Sequence, residues 1–427
     1  GTNGIVYQQI ILNFPDLSEE EYRYLPIFNF CFAELGCADK DYLQMQVEQS
    51  LVSGGIFAHS SLRGEIDDEQ QVRGYYTISG KSLLRNHNKL TSLLKETFLD
   101  MRFDESDRIK ELISQLRMRK ESSITGSGHS LAMQAAISRM SPVAFLSHQN
   151  KGLASHAFIK ELDTNLAEDP NCMAELQKQL SNIHNKLINS EFQFLLVCEE
   201  ESYTACRDDI IACWDGSAIK KQSSLPVLSL EAIKQNVKQA WLTTTQVNFC
   251  AKAYSTVPVE HSDSAALTVL GGFLRNGFLH RSIREQGGAY GGGATQDSAN
   301  ACFKFFSYRD PRLSETLDDF EKSINWLLET SHDYLSLEEA ILGVISSLDK
   351  PASPAGDAKQ VFHNNLFGRT REQREKFRQR ILAVTIDDLL NVARKYFVGQ
   401  PASIAIITNH DHEGECCKLG LEVFNLN

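Results

Sequence analysis

The sequence predicts an α+β protein of two homologous domains, each a mostly antiparallel sheet with helices packed on one face. Three observations carry that expectation. At 427 residues the chain is too long for one ordinary domain. Its composition, 42% hydrophobic and 23% charged, supplies enough apolar residues for more than one core. And one order of elements occurs twice: strand, helix, glycine, short helix, Gly-Gly, hairpin, long helices, helix and strand. The copies stand about 200 residues apart, a period too long for a solenoid repeat. The expected bounds are 1–215 for the first repeat, 216–244 for a linker and 245–427 for the second repeat.

In the first repeat, Val6 to Asn13 alternates like a strand until Pro15-Asp16 breaks it. Ser18-Glu-Glu-Glu21 is a capping-type entry into a helix carrying Leu25, Phe28, Phe32 and Leu35, which Gly36 is expected to end. A second helix over Lys40 to Val52 stops at Gly54-Gly55. Ile56 to Leu62 and Val72 to Ser79 form a strand pair, and helices follow over Ser82 to Leu99 and Ser106 to Arg119. The Ser/Gly-rich segment Ser122 to His129 predicts a turn before a helix over Leu131 to Met140. A helix over Cys172 to Ile188, a buried strand over Phe192 to Cys198 and a helix over Ser202 to Cys213 complete the repeat. Gly216 to Pro226, polar and basic, is the best linker candidate.

The second repeat opens with a strand over Val247 to Tyr254 and a turn over Pro258 to Asp263. A helix carrying Leu267, Leu270 and Leu274 leads through Gly277 to a short helix ending at Arg284. Tyr290 to Thr295 and Cys302 to Tyr308 form a strand pair. Helices over Leu313 to Leu328, Leu337 to Leu348, Gly356 to Leu366 and Ile386 to Tyr396 precede a strand over Ala402 to Ile407.

Charge and composition exclude several functions. A formal charge of −12 argues against a general nucleic-acid surface. No run approaches the roughly 20 apolar residues of a membrane span. Ten irregularly spaced cysteines do not form the framework of a small secreted domain, so free thiols and a reducing compartment are expected. The cytoplasm fits this, with the mitochondrial matrix as the alternative. The chain opens without a signal-like n-region and enters a strand almost at once, which suggests a piece of a longer protein.

The stretch that concentrates chemistry is Arg281-Ser-Ile-Arg-Glu-Gln-Gly-Gly-Ala-Tyr-Gly-Gly-Gly293. Taken singly, Arg284 is explained by the helix dipole and Tyr290 by a half-buried strand position. Together they differ: Gly287 and Gly288 let the backbone turn sharply, and Gly291 to Gly293 leave bare backbone beside a cation and a phenol. Both side chains can donate hydrogen bonds to a developing oxyanion. A phosphate-binding loop is excluded by context, since these glycines follow a helix and open a strand. Other candidates are weaker. His410-Asp-His412 with Cys416-Cys417 has ligand-type residues but suits a solvated turn. His87, His129 and His280 lack acid or base partners at suggestive spacing, and Cys31 and Cys250 sit in apolar runs. The basic run Arg369 to Arg380 suits the solvated face of a helix.

The run Arg284-Glu-Gln-Gly-Gly-Ala-Tyr290-Gly-Gly-Gly resembles the C-terminal half of the pitrilysin/insulinase zinc metallopeptidases, in their presequence-protease branch. Glu19-Glu-Glu-Tyr22, Leu25-Pro26, Glu34-Leu-Gly36 and Ser53-Gly-Gly-Ile56 are similar to the third domain of that branch. The resemblance covers essentially the whole chain and implies a metallopeptidase LuxS/insulinase-like fold. Such enzymes have four homologous domains in two halves closing around a chamber, so the two repeats correspond to domains three and four. It also implies zinc held by an H-x-x-E-H helix and a distal glutamate. No two of the twelve histidines stand four apart, so this chain lacks the motif and no metal ligands are expected in it. Zinc would belong to the absent N-terminal half, with that half and peptide substrates as partners. Arg284 and Tyr290 carry over as groups that contact substrate and steady the tetrahedral intermediate, with Gly287 and Gly288 as their substrate-side backbone. On this reading the chain hydrolyses nothing alone. The alternative is a separate non-catalytic subunit that binds peptides or assembles with a zinc-bearing partner.

Overall fold

In the computed structural model of the chain, residues 1–214 and 225–426 are described. Ten strands form two sheets among them. The first sheet is antiparallel throughout, in the order β2-β3-β1-β4, from β1 (Ile5–Asn13), β2 (Ile56–Gly64), β3 (Val72–Leu83) and β4 (Phe192–Val197). The second contains β5 (Lys238–Leu242), β6 (Phe249–Ser255), β7 (Gly291–Asp297), β8 (Cys302–Tyr308), β9 (Ser403–Thr408) and β10 (Glu422–Asn425). Its order is β10-β5-β9-β6-β8-β7, parallel at β10-β5-β9 and antiparallel elsewhere.

Side-chain alternation assigns each sheet two different covers. Ile10 and Leu12 of β1 point into a core made by helices of the first repeat, including Glu19–Cys31, His87–Leu99 and Pro170–Ile188. Ile11, between them, faces the other way and packs with Tyr75, Leu366 and Phe367 at the end of helix Pro354–Leu366 from the second repeat. The second sheet mirrors this. Cys250 and Tyr254 of β6 face that repeat's own helices, while Phe249, Ala251 and Ala253 pack on helix Ser106–Ala136 of the first. Each repeat therefore lends one helix to the open face of the other's sheet.

This exchange explains where the sequence misleads. The expected turn at Ser122 to His129 is instead a kink inside helix Ser106–Ala136, with non-helical angles at Ser127 alone. Gly128 is pressed against β6, where an added Cβ would lie 2.6 Å from the Phe249 ring. Burial of Phe249, worth about 2–3 kcal/mol, outweighs the turn preference of the serines and glycines.

The capping boxes predicted at Ser18 and found also at Asp41 are formed, but the first helix ends at Cys31 with Ala33 at φ +65°, three residues before Gly36. The expected linker start, residues 216–224, lies outside the described residues. Residues 238–242 at its far end form β5, a run too short to register as a strand from pattern alone. All ten cysteines are free thiols. No described helix is long and apolar enough to cross a membrane.

Candidate functional site

Helix Ser264–Leu274 continues without a break into Arg275–Gln286, which is wound with the wider π-type hydrogen bonding over 12 residues. Such winding is rare beyond one turn and recurs at functional sites. Leu279 and Ile283 are fully buried on its inner side, and Gly277 lets it pass Trp326, whose ring would lie within 3 Å of an added Cβ. Arg284 stands in the last turn on the outer side, solvent-exposed.

The two glycines that follow close this helix by different means. Gly288 has φ +79°, the left-handed conformation that glycine adopts without steric cost. Gly287 has ordinary helical angles but no room: an added Cβ would meet the Arg312 guanidinium and come within 2.6 Å of the Ile283 carbonyl oxygen. The N–H groups of Gly287 and Gly288 both donate to the Arg284 carbonyl, and Ala289 N–H donates to that of Ile283. The end resembles a Schellman cap widened to match the wider helix. The Arg284 backbone is thereby fixed, while its side chain makes no hydrogen bond or ion pair among the described residues.

Arg312 is itself anchored. Its guanidinium pairs with the Asp319 carboxylate at 3.1 Å, and its backbone N–H donates to Asp310 at 3.0 Å. Asp310 is fully buried, which pushes its carboxyl up from the usual range, while hydrogen bonds from Arg312 N–H and Thr316 pull the other way. Burial acts likewise on Asp319, but hydrogen bonds from Ser282 and Lys322 and the charge of Arg312 hold it below the ordinary value. Asn248 completes the anchor by exchanging backbone hydrogen bonds with Asp310.

Tyr290 leaves the turn onto β7, the edge strand of the sheet, and is 67% exposed. Its ring stands edge-on to Tyr308 at 5.5 Å, and Tyr308 in turn meets His129 at 4.8 Å. The Tyr308 hydroxyl and the Arg309 guanidinium donate to the carbonyls of Gly126 and Thr125. The platform under Tyr290 is thus clamped by the kinked helix of the first repeat. His129, for which the sequence shows no acid or base partner at suggestive spacing, is half-buried here with Nδ1 unpartnered, and burial lowers its pKa.

The glycine strip after Tyr290 divides by purpose. At Gly292 an added Cβ would lie 2.8 Å from Ile283, and at Gly293 3.3 Å from Phe306, so both serve close packing inside the repeat. At Gly291 nothing lies within 4 Å. Bare backbone open to an approaching chain is therefore confined to one position, where the sequence suggests three.

The remaining sequence candidates stay apart from this turn. His410 to His412 form a short helical turn, and each histidine faces one glutamate, Glu413 at 3.9 Å and Glu415 at 3.1 Å. His280 faces Glu285 at 3.4 Å, and His87 faces Asp209 at 2.9 Å. Burial pushes the thiol of Cys31 up to about 12 and raises that of Cys250 as well, so neither is a nucleophile. Among the described residues no three His, Cys, Asp or Glu side chains group so as to hold a metal ion, and lone His–Glu pairs do not fit a zinc site.

Two family models match the chain. One describes a region associated with subfamily C of the M16 peptidases and covers residues 1–162; the other, "PreP C-terminal domain", covers residues 238–408. The mitochondrial presequence protease of Yarrowia lipolytica is 30% identical over 398 residues, covering 93% of this chain and 40% of that protein. That of Danio rerio is 28% identical over 431 residues, covering 96% and 42%. The chain thus spans about two fifths of the length of these relatives. Among solved structures, pitrilysin matches with a TM-score of 0.65 at 13% identity, over 99% of this chain and 43% of that one. A peptidase M16 inactive domain from Pseudomonas fluorescens matches with a TM-score of 0.61 at 15% identity, over 95% and 93%.

Proposed function

Since the chain belongs to the presequence-protease branch of the pitrilysin-like M16 peptidases, as their C-terminal half, we propose that it supplies Arg284 and Tyr290 to a zinc endopeptidase site whose metal the N-terminal half holds. The observation that carries this reading is the combination of exposure and anchoring. Two hydrogen-bond donors stand free at the surface on a turn whose backbone accepts from the Arg312 guanidinium at the Ser282 carbonyl, donates from Tyr290 N–H to the Arg309 carbonyl and pairs at Gly291 with Tyr308. A surface cation with no partner contributes little to stability, and a rigid mount for it is unexplained unless something binds there.

In this role the Arg284 guanidinium and the Tyr290 hydroxyl donate to the carbonyl oxygen of the peptide as negative charge develops on it. Donors already in position stabilise that charge without reorganising. The turn at Gly287 and Gly288 sets their separation, and Gly291 lets an extended peptide lie against the edge of β7, in the manner of an added strand. The zinc ion, when present in the complete enzyme, polarises the carbonyl and activates water. The described residues of this chain do not fit that ion, so what they do is bind and orient. The relatives' printed name supports peptides as substrates and, for the complete protein, a mitochondrial location over a cytoplasmic one. Their greater length supports the N-terminal half as partner.

The test compares this chain alone with the same chain mixed with the N-terminal half of its own full-length protein. Alone, it should hold no stoichiometric zinc and leave a fluorogenic peptide intact; the mixture should cleave it. Chelator-sensitive cleavage by the isolated chain would overturn the reading.

A further inference from the structure

A cavity of about 800 Å³ lies between the two repeats, away from the turn at Arg284. Its wall comes from β2, the β7–β8 hairpin and the helix Arg371–Leu382 with the loop before it. Six cations and three carboxylates line it. Each carboxylate is taken by a cation of its own: Asp297 by Lys304 at 2.8 Å, Asp349 by Arg378 at 2.9 Å and Glu375 by Arg371 at 2.8 Å. Arg63, Arg369 and Arg374 pair with no carboxylate among the described residues.

Two of these three are more than solvated surface charges. Arg63 lies over the Phe367 ring at 4.9 Å and reaches Asn364 at 3.3 Å, which fixes it toward the cavity wall. Nε of Arg369 and Nε2 of Gln373 are buried with no hydrogen-bond acceptor. Burial and the neighbouring Arg63 charge lower the Arg369 pKa, more than the Asp297 charge raises it, so the cluster is electrostatically unfavourable as it stands. Three uncompensated guanidiniums and two idle donors converge on one concave space, in a chain whose overall charge is −12. Buried polar groups are normally satisfied, and planar guanidinium forks match phosphate and carboxylate oxygens in pairs.

We propose that this cavity binds a small polyanion carrying two or more phosphate or carboxylate groups, held by Arg63, Arg369, Arg374 and the Gln373 amide. Its volume suits a ligand larger than a single phosphate. Because Arg63 belongs to the first repeat and the other three to the second, the ligand bridges the repeats and stabilises their contact. The site is separate from the proposed peptidase site and stands whether or not that reading holds.

Titration calorimetry of the whole chain with tripolyphosphate, citrate and inorganic phosphate tests the site. One equivalent of tripolyphosphate or citrate should bind, with inorganic phosphate at least tenfold weaker. The tighter of the two assigns phosphate or carboxylate as the natural group. Arg369→Gln and Arg374→Gln should each weaken binding about tenfold or more, as loss of a charge-assisted pair does. Arg371→Gln, whose guanidinium already serves Glu375, should change it by less than about twofold. Arg374 is exposed, so its variant keeps the fold and remains decisive if Arg369→Gln unfolds. No binding at millimolar ligand, or binding indifferent to Arg374→Gln, would overturn the proposal.

Discussion

A methyl group added at residue 287 would meet the Arg312 guanidinium and stand 2.6 Å from the Ile283 carbonyl oxygen. The backbone there has φ −81° and ψ −19°, which alanine adopts freely, so the whole penalty of Gly287→Ala is steric. Overpacking of this kind costs about 1–3 kcal/mol. Displacing Arg312 adds to it by weakening the 3.1 Å pair with Asp319, a carboxylate only 5% exposed. The gain from a less flexible unfolded chain offsets about 0.4–1 kcal/mol. The net expectation is destabilisation of about 1–2 kcal/mol, read as a lower urea midpoint. Arg312→Ala removes the guanidinium but leaves the Ile283 carbonyl, so in that background Gly287→Ala should cost about 1 kcal/mol less, the coupling read in the double-mutant cycle. A single variant within about 0.5 kcal/mol of the parent, or no coupling, would refute the claim that Arg312 packs beneath the turn.

The neighbouring glycines give a sharper contrast. Gly292→Ala should cost about 1–3 kcal/mol because Ile283 lies 2.8 Å from the new Cβ, whereas Gly291→Ala should leave stability unchanged. Equal urea midpoints for the two would contradict the division of the strip. If a peptide runs along β7, Gly291→Ala should also raise KM in the complete enzyme. Acid stability should report His148, which is buried beside Trp241 and Arg139 and whose pKa burial pulls down to about 4. Its neutral form is favoured in the fold, so the stability it contributes is complete above about pH 6.5 and is lost as pH falls toward 4. The loss amounts to roughly 3 kcal/mol. His148→Gln should flatten that slope, leaving the parts due to other histidines that burial pulls down, among them His156 to about 3 and His363 to about 4; an unchanged slope would exclude His148 as its source.

Much of the architecture is legible in sequence because local chemistry and tertiary structure agree there. The strand β1, the capping box at Ser18 and the helix stop before Gly54-Gly55 form where the local pattern places them. The failures have one common cause, which is contact with distant residues. Ser122 to His129 has turn composition but is held helical by Phe249, more than a hundred residues away. Two helices, Pro142–Lys151 and Leu153–Glu168, escape the sequence pattern, as do the short strands β5 and β10, whose pairing rather than pattern defines them. At the candidate site the sequence singles out Arg284, Tyr290, Gly287 and Gly288 as a unit. It does not disclose Arg312, Asp310 or Tyr308 as their mount, since nothing local distinguishes an anchoring arginine from a surface one. Nor does it separate Gly291, open to approach, from Gly292 and Gly293, which serve packing.

The most direct measurement is kcat for peptide cleavage by the complete enzyme carrying Tyr290→Phe or Arg284→Gln. Both side chains are exposed, so thermal unfolding should be unchanged and any loss is one of function. Losing one donor to a developing oxyanion lowers kcat by about 10²–10³-fold. The account predicts a fall of about 10²-fold in each variant, with KM altered far less; turnover equal to that of the parent in both variants would contradict it.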